Sequence, residues 1–351
     1  MYRLGVSIEH SAPNTYFAKE PKDCEKMAEI FAGIVRHYNQ GWAEGFHYGI
    51  AYWEIWNEPD MVPLMWDNSD FASYCRFYAV AAKRLKQEFP QIKVGGPALA
   101  GCNQALLAQF IDYCRQEDAP LDFCSWHTYP SSLAELLDAP VIVRRLLDER
   151  GYTHTELHLD EWHYFNCSWD TIMGYEGGRE YRREVVFGDS GINGSDAAAF
   201  IICALIGWQE TPIDSANYYC TALMEDEWGL VDSHGYPFKT YYAYKAFGEM
   251  AAQTPSRAVC EKAPENFAIL AGQGENGARR ILAASFKENA SSLKIRLAGV
   301  PESGTVHVTS IESGEQIEPA ESELSYSGGI LDLGAVSGST VKIIDFVPDA
   351  Q

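Results

Sequence analysis

Basic residues are scarce in this chain. It has 27 Lys and Arg against 49 Asp and Glu among 351 residues, which gives a formal net charge of −22. A surface of this sign repels the phosphates of nucleic acids and of anionic membranes, so we expect neither as a partner. With 46% hydrophobic and 13% aromatic residues, the chain can still bury a large core and form one small additional domain.

The chain also lacks paired cysteine motifs and long apolar runs. Its nine cysteines include no C-x-x-C pair, and an odd number cannot form a complete set of disulfides. Several, such as Cys124 and Cys203, lie in apolar segments where a free thiol behaves as a small hydrophobic group. No run reaches membrane-spanning length, and the residues after Met1 lack the apolar region of a signal peptide. We therefore expect reduced thiols and a cytoplasmic protein, although a missing N-terminal portion would hide a signal peptide.

The most informative segment is residues 52–60, Tyr-Trp-Glu-Ile-Trp-Asn-Glu-Pro-Asp. Its pattern predicts a buried strand that stops at Pro59, because proline donates no backbone hydrogen bond. Glu58 is then held at the carboxyl end of a strand, next to Asn57 and close to two tryptophans. Barrel enzymes that cleave sugars need their general acid at such a position. Glu58 is the candidate proton donor, and the alternative is a glutamate that only caps a turn.

A second carboxylate is needed if cleavage retains the configuration of the sugar, because one carboxylate must attack while the other protonates. Residues 155–164 alternate like a strand and end in acidic and aromatic residues, and Glu161 in this run follows Glu58 by 103 residues. Glu161 is the candidate nucleophile, with Asp160 and Glu156 as alternatives. Regular alternation would place Asp160 and Glu161 on opposite faces, so only one of them would face the substrate.

A third predicted strand, residues 121–130, ends in His127-Thr128-Tyr129-Pro130. Together with the Asn-Glu-Pro and Asp-Glu-Trp strands, it resembles glycoside hydrolase family 39, the β-xylosidase and α-iduronidase family of a clan of retaining (β/α)8 barrels. The resemblance implies that Glu58 is the acid/base on barrel strand 4 and Glu161 the nucleophile on strand 7. It also implies that His127 binds a substrate hydroxyl and that Tyr129 supports the nucleophile. The alternative is that His127 and Tyr129 only pack the barrel mouth.

The preferred sugar stays open at this point. Family members usually carry Glu-Phe-Asn at the nucleophile, whereas this chain has Glu161-Trp162-His163, and its Asp-Glu-Trp form is similar to family 51 arabinofuranosidases. We expect a neutral β-glycoside, as for a β-xylosidase, since the acidic surface disfavours acidic sugars. The alternatives are arabinofuranosidase or β-galactosidase specificity, or a carbohydrate-binding homologue with little or no catalysis. No cofactor and no metal are expected, because two carboxylates suffice for the reaction.

Further candidates flank these motifs. Asn57 is expected to bond the 2-hydroxyl of the sugar, and Glu227, after the last predicted barrel strand, is expected to bind other hydroxyls. Asp60 and His163 are candidates only by their position. Four tryptophans are either sugar-stacking faces or core residues: Trp66, Trp162, Trp208 and Trp228.

The alternation of strand and helix patterns predicts an α/β fold, a TIM-type (β/α) barrel. Only about six strands are found, and 57 residues precede Glu58, so by the resemblance the first two βα units are missing. We expect an incomplete barrel over residues 1–253, whose open edges are covered by a homo-oligomer. A smaller, distorted but closed barrel is the alternative. Short apolar strands between turns predict an antiparallel β-sandwich domain over residues 254–351.

Overall fold

The computed structural model describes residues 1–5, 19–172, 177–221, 229–261, 263–264, 266–275 and 277–347. Their strands form one six-stranded parallel sheet, one six-stranded antiparallel sheet and a further two-stranded sheet. Among the helices in these ranges, none combines the length and the apolar character that crossing a membrane requires.

The parallel sheet has its strands side by side in the order of the chain. They are β1 (Tyr2–Leu4), β2 (Tyr52–Ile55), β3 (Lys93–Leu99), β4 (Phe123–Thr128), β5 (Glu156–Trp162) and β6 (Ser215–Tyr218). Each strand pairs in parallel with the next, as Trp53 of β2 does with Val94 of β3. The prediction of about six parallel strands is confirmed.

Helices alternate with these strands. They are α1 (Cys24–Gln40), α2 (Phe71–Glu88), α3 (Gln104–Gln116), α4 (Leu133–Asp148), α5 (Trp169–Ile172), α6 (Arg179–Phe187), α7 (Ser195–Gly207) and α8 (Lys239–Gln253). Local sequence sets their ends. Helix α1 begins after Asp23, whose side chain accepts a hydrogen bond from the Lys26 N–H, and it stops at Gly41, which has a φ of 71°.

The parallel sheet is strongly curled. The guanidinium of Arg3, on β1, lies 2.9 Å from Asp160 and 2.7 Å from Glu161, both on β5. In a flat sheet four strand spacings would separate β1 from β5 by about 19 Å, which is beyond the reach of an arginine. A direct side-chain bridge therefore requires curvature like that of a barrel wall, in agreement with the predicted incomplete TIM-type barrel.

An irregularity in β5 changes which side chains share a face. His127 of β4 pairs with Glu161, whereas the residue before it pairs with Leu159, so Asp160 is the extra residue of a β-bulge. The expectation that Asp160 and Glu161 point to opposite faces was wrong, since both carboxylates bind Arg3. The bulge interrupts the two-residue alternation on which that expectation rested.

The antiparallel strands build a separate small core. The six-stranded sheet has the order β12 (Ala320–Tyr326), β11 (Gly304–Ile311), β14 (Val336–Phe346), β9 (Arg279–Ala290), β8 (Phe267–Gln273) and β7 (Ser256–Ala258). The two-stranded sheet consists of β10 (Lys294–Arg296) and β13 (Ile330–Asp332). Leu331 of β13 is buried in one cluster with Val306 and Ile344 of the larger sheet. The predicted second, antiparallel domain is confirmed.

Contacts divide the chain into two compact units. The first unit, with the parallel sheet, comprises residues 1–129, 138–162 and 212–218. The second unit, with the antiparallel sheets, comprises residues 130–137, 163–211 and 219–351. Helices α7 and α8 fall in the second unit, whereas the sequence assigned them to the barrel domain. The domain boundary between residues 253 and 254 stays a prediction.

Candidate active site

Glu58 lies just past the carboxyl end of β2, in a strained turn. Its φ is 46°, and that of Trp56 is 75°, so both residues adopt the left-handed conformation that is unfavourable for residues other than glycine. The N–H of Glu58 donates to the carbonyl of Ala98, 2.9 Å away on β3. The Glu58 side chain is 12% exposed. Strained backbone of this kind is concentrated at functional sites, where surrounding contacts hold it in place.

Glu161 lies near the carboxyl end of β5 and is fixed from two sides. Nη1 of Arg3 donates to one carboxylate oxygen at 2.7 Å, and the Tyr129 hydroxyl donates to the other at 2.8 Å. The side chain is 14% exposed. Because each oxygen has its own donor, the carboxylate is held in one orientation with an edge toward solvent.

The imidazole of His127, on β4, lies between the two glutamates. Its Nδ1 is 2.7 Å from Glu58 and 3.5 Å from Glu161, while its Nε2 is 3.5 Å from Asp160 and 3.1 Å from Arg3. Burial acts to lower the pKa of His127, but hydrogen bonds to Asp160 and Glu58 and nearby negative charge raise the pKa to about 10. The imidazole ring thus connects Glu58 to a buried charge network.

That network contains two fully buried carboxyl groups. Arg3 donates through Nε to Glu54 at 2.7 Å and through Nη2 to Asp160 at 2.9 Å. Burial and the charge of Asp160 raise the pKa of Glu54 to about 8, against the opposing effect of Arg3. Burial also acts to raise the pKa of Asp160, but His127, Glu54 and Arg3 together bring it below its usual range.

The raised pKa of Glu54 favours one proton shared within this network. Oε1 of Glu54 and Oδ1 of Asp160 are both buried. Oε1 has no hydrogen-bond partner among the residues described, and Oδ1 has only the long contact of 3.5 Å with Nε2 of His127. Two ionised carboxylates in this position would leave both oxygens unsatisfied at considerable cost. A proton on Glu54, donated to Asp160, satisfies both oxygens and removes one of the two negative charges.

The two candidate catalytic carboxylates are as close as a retaining reaction requires. One oxygen of Glu58, one oxygen of Glu161 and a ring nitrogen of His127 all lie within 4.8 Å of one another. Carboxyl groups about 5–5.5 Å apart are typical of retaining glycosidases. The same three atoms could bind a metal ion, but each is already paired, with Arg3 and Tyr129 holding Glu161. That the reaction needs no metal stays a prediction.

Two polar neighbours of Glu58 differ in whether their side chains can still form a hydrogen bond with a ligand. Asn57 has a buried side-chain oxygen that accepts no hydrogen bond within the described part of the chain. Asp60 instead accepts a hydrogen bond from the Ala100 N–H at 3.0 Å, and burial raises its pKa. Asn57 therefore retains hydrogen-bonding capacity for a ligand, whereas Asp60 is engaged in the loop.

The two tryptophans predicted near the site within the first unit are core residues in this structure. Trp66 and Trp162 are completely buried. The ring of Trp66 packs edge-on against Trp56 at 5.0 Å, and that of Trp162 packs edge-on against Tyr218 at 5.2 Å. Neither ring presents an exposed face on which a sugar could stack.

The remaining four candidates lie in the second compact unit or outside the described residues. Trp208 and His163 belong to the second compact unit, and both are buried. Glu227 and Trp228 lie outside the described residues. The predicted contacts of these four residues with substrate stay predictions.

Three residues of the cluster were missed by the sequence argument: Arg3 and Glu54 entirely, and Asp160 as a partner of Glu161. The signal was a charged residue inside a short apolar strand, as in Tyr2-Arg3-Leu4 and Trp53-Glu54-Ile55. A charge on the inward face of a barrel strand must find a partner there, because burying it unpaired is too costly. Which strands bring their charged side chains within reach of one another depends on the curl of the sheet. No local sequence pattern encodes that curl.

Comparisons with known proteins agree with the family resemblance seen in the sequence. Residues 8–144 match the family model described as glycosyl hydrolases family 39. Among curated proteins, the chain is 25% identical over 264 residues to a β-xylosidase of Geobacillus stearothermophilus. That alignment covers 66% of this chain and 47% of the relative, so the chain spans about half the length of the curated protein that it matches.

Solved structures show the same fold. A glucosidase from Croceicoccus marinus has a TM-score of 0.71 at 23% identity, and a monomeric β-xylosidase from Caulobacter crescentus has a TM-score of 0.70 at 18% identity. Each comparison covers 95% of this chain and 76% of the other chain. At these identities the likeness establishes the fold, and it leaves the substrate open.

Proposed function

We propose that this chain, whose residues 8–144 match the family model of glycosyl hydrolases family 39, is a retaining glycosidase of the β-xylosidase type. It would cleave a neutral β-glycoside by double displacement. The observation that carries this proposal is the pair formed by Glu58 and Glu161, whose carboxylate oxygens approach within 4.8 Å at the carboxyl ends of β2 and β5.

In the first step Glu161 attacks the anomeric carbon while Glu58 gives its proton to the departing glycosidic oxygen. The bond between the anomeric carbon and that oxygen breaks, the leaving alcohol departs, and the sugar becomes an ester of Glu161. Arg3 and Tyr129 hold the two oxygens of Glu161 at 2.7 and 2.8 Å, which favours one angle of attack.

In the second step Glu58 removes a proton from a water molecule, and the resulting hydroxide attacks the anomeric carbon. The ester bond breaks, Glu161 regains its charge, and Glu58 is protonated for the next cycle. The contact between His127 and Glu58, 2.7 Å long, orients the Glu58 carboxyl group in both steps. Asn57, with its unused side-chain oxygen, is the candidate for binding the 2-hydroxyl.

Xylose is the first candidate for the sugar, because the curated relative is a β-xylosidase. Arabinofuranosides, β-galactosides and β-glucosides are the alternatives, the last because one similar structure is that of a glucosidase. The competing function from another class is carbohydrate binding without catalysis. An incomplete barrel favours it, since loops at strand ends usually form the walls of the sugar site.

The decisive experiment uses activated 2-deoxy-2-fluoro glycosides of xylose, arabinose, galactose and glucose. The fluorine slows the second step, so the ester of the nucleophile accumulates and is seen as an increase in the mass of the intact protein. Peptide mapping must then place the label on Glu161 rather than on Asp160. The sugar that labels fastest identifies the glycone.

The Glu161→Gln variant is the matched control and should take up no label. If the folded parent protein takes up no label and hydrolyses none of the corresponding aryl glycosides, the retaining mechanism is excluded. Saturable binding of xylo-oligosaccharides in that case would support the binding function instead.

A further inference from the structure

Strand β10, in the second unit, has one free edge. It pairs with β13 on one side, and it has no partner on the other side among the strands that the structure describes. The N–H of Leu297, directly after β10, donates to the carbonyl of Gly329 at 2.8 Å, on the β13 side. Backbone groups alternate in direction along a strand, so the N–H and C=O groups of Lys294 and Arg296 point away from β13. A further strand can therefore form hydrogen bonds with four backbone groups at this edge.

An apolar groove lies beside the free edge. It has a volume of about 610 Å³ and is lined by β10 and by residues of β7, β8 and β9, whereas no described residue of β13 lines it. Its floor includes Ile269 and Ala271 of β8, which are only partly buried, and Ala283 of β9, which pairs with Ile269. A strand added to β10 at the usual spacing of about 4.8 Å would cover this floor.

The side chains around the groove are mainly basic. Lys294 and Arg296 are exposed at the edge, and Arg279 also lines the groove, while Glu261 is the single carboxylate among the lining residues described. Lys294 pairs with Asp332 at 3.3 Å, whereas Arg279 and Arg296 form no ion pair within the described ranges. Basic side chains on an edge strand repel strands of the same charge, so this edge favours an acidic partner.

We propose that the free edge of β10 binds an extended segment of another polypeptide, in which acidic and apolar residues alternate. The segment runs antiparallel to β10, as all described strand pairs of the second unit do. Its acidic side chains lie opposite Lys294 and Arg296. Its apolar side chains lie beside the partly buried Ile295 and fill the groove over Ile269 and Ala271.

Hydrogen bonding and charge specify the same residues of this segment. In an antiparallel pair, a residue that shares two backbone hydrogen bonds with Lys294 or Arg296 lies directly opposite it, with its side chain on the same face. The acidic residues therefore supply both the ion pairs and the backbone hydrogen bonds, and the apolar residues turn their N–H groups away from β10. A neutral oligosaccharide offers neither the carboxylates nor this period of two.

The test uses the full chain and a fluorescent short peptide in which glutamate and valine alternate. Fluorescence anisotropy at about 0.15 M salt, where distant charges of the acidic chain are screened, should show saturable binding at micromolar concentrations. Methylation of the glutamate backbone nitrogens should weaken binding by tenfold or more, because those N–H groups bond β10. Methylation of the valine nitrogens should leave it unchanged, and a peptide with lysine in place of glutamate should not bind.

Variants of the protein locate the contact. Arg296→Pro removes an N–H at the free edge, a position where edge strands tolerate proline, so it should melt close to the parent protein and yet not bind. Arg296→Glu should weaken binding by tenfold or more. Arg145→Glu on α4 is its matched control, since Arg145 is also an exposed arginine without an ion pair in the described ranges, and this variant should bind like the parent protein.

Four outcomes would overturn the proposal. The first is the absence of saturable binding of the alternating peptide up to about 1 mM. The second is an equal effect of the two methylations, which needs no variant of the protein and so does not depend on how Arg296→Pro folds. The third is binding that persists in Arg296→Pro. The fourth is displacement of the peptide by xylo-oligosaccharides, which would make the groove a sugar site.

Discussion

Glu54 is a carboxyl group that the folded protein keeps protonated near neutral pH. Burial raises its pKa to about 8, from an ordinary value of 4.5. Since the folded-state pKa lies above the unfolded one, this contribution to stability is complete below about pH 4.5 and is lost as the pH rises through about 8. Each pH unit in that window should cost the parent protein at most about 1.4 kcal/mol. We expect Glu54→Gln to remove this loss, because a glutamine mimics the protonated acid.

The measurement is urea unfolding of parent and variant between about pH 5 and about pH 9. The informative quantity is the difference between their free energies of unfolding, which should move in favour of Glu54→Gln as the pH rises. Glu302→Gln, at an exposed glutamate, is the control and should leave the pH profile unchanged. A constant difference between Glu54→Gln and the parent would mean that Glu54 is ionised throughout.

The loss of activity on removing the Glu58 carboxyl group should increase with the basicity of the leaving group. We expect Glu58→Ala to lose roughly 100- to 10,000-fold in activity on glycosides with poor leaving groups, the usual contribution of general acid–base catalysis. On dinitrophenyl glycosides the first step needs no proton, so the glycosyl ester should accumulate. Added azide should then speed turnover and give a glycosyl azide of unchanged configuration. An azide product of inverted configuration, or equal losses on both substrates, would contradict the assigned role.

At the scale of elements, strand β1 is held to the sheet by backbone pairing with β2 and by the side chain of Arg3. It has only three residues and pairs with β2 alone among the described strands. Its Arg3 side chain binds three carboxyl groups, one on β2 and two on β5. We expect Arg3→Met to destabilise the protein by about 3–5 kcal/mol, because it leaves buried charges without a partner.

Denaturant unfolding measures this loss, and hydrogen exchange locates it. The backbone N–H of Trp56 donates to the Leu4 carbonyl of β1. Its hydrogen should exchange faster in Arg3→Met than in the parent protein. Arg84→Met, which removes a partly exposed pair within α2 and leaves Glu88 bound to Arg36, is the control and should change stability by no more than about 0.5 kcal/mol. Equal effects of the two variants would show that β1 is held by its backbone pairing alone.

The elements themselves were largely predictable, and the exceptions have physical reasons. Strand ends at Asn57-Glu58-Pro59 and at Tyr129-Pro130 were visible because proline and clustered polar residues interrupt apolar runs. The bulge at Asp160 was missed, although the apolar positions shift there from Leu157 and Leu159 to Trp162 and Tyr164. A bulge arises from how two strands pair, and the pairing partner is more than thirty residues away in the sequence.

At the scale of the whole molecule, the number of strands could be counted from the sequence, but the curl of the sheet could not. The candidate site depends on that curl, because Arg3 on the first strand meets Glu161 on the fifth. The resemblance identified Glu58 and Glu161 as a pair, and their predicted catalytic roles still await the labelling experiment. Residues such as Arg3 and Glu54 become candidates only after strands distant in the sequence are brought together.

The net charge should govern how stability responds to salt. The chain has many ion pairs, which salt weakens, but even if every basic residue were paired, 22 acidic residues would still be in excess. Mutual repulsion of that excess opposes folding, and salt screens it. We therefore expect the melting temperature near pH 7.5 to rise by about 1–2 °C, equivalent to roughly 1 kcal/mol, when sodium chloride is raised from about 0.02 to about 0.2 M. Near pH 5, where the net charge is close to zero, the same addition should have little effect. A melting temperature that falls with salt at pH 7.5 would mean that the ion pairs, among them those of Arg3 and Arg280, outweigh the repulsion.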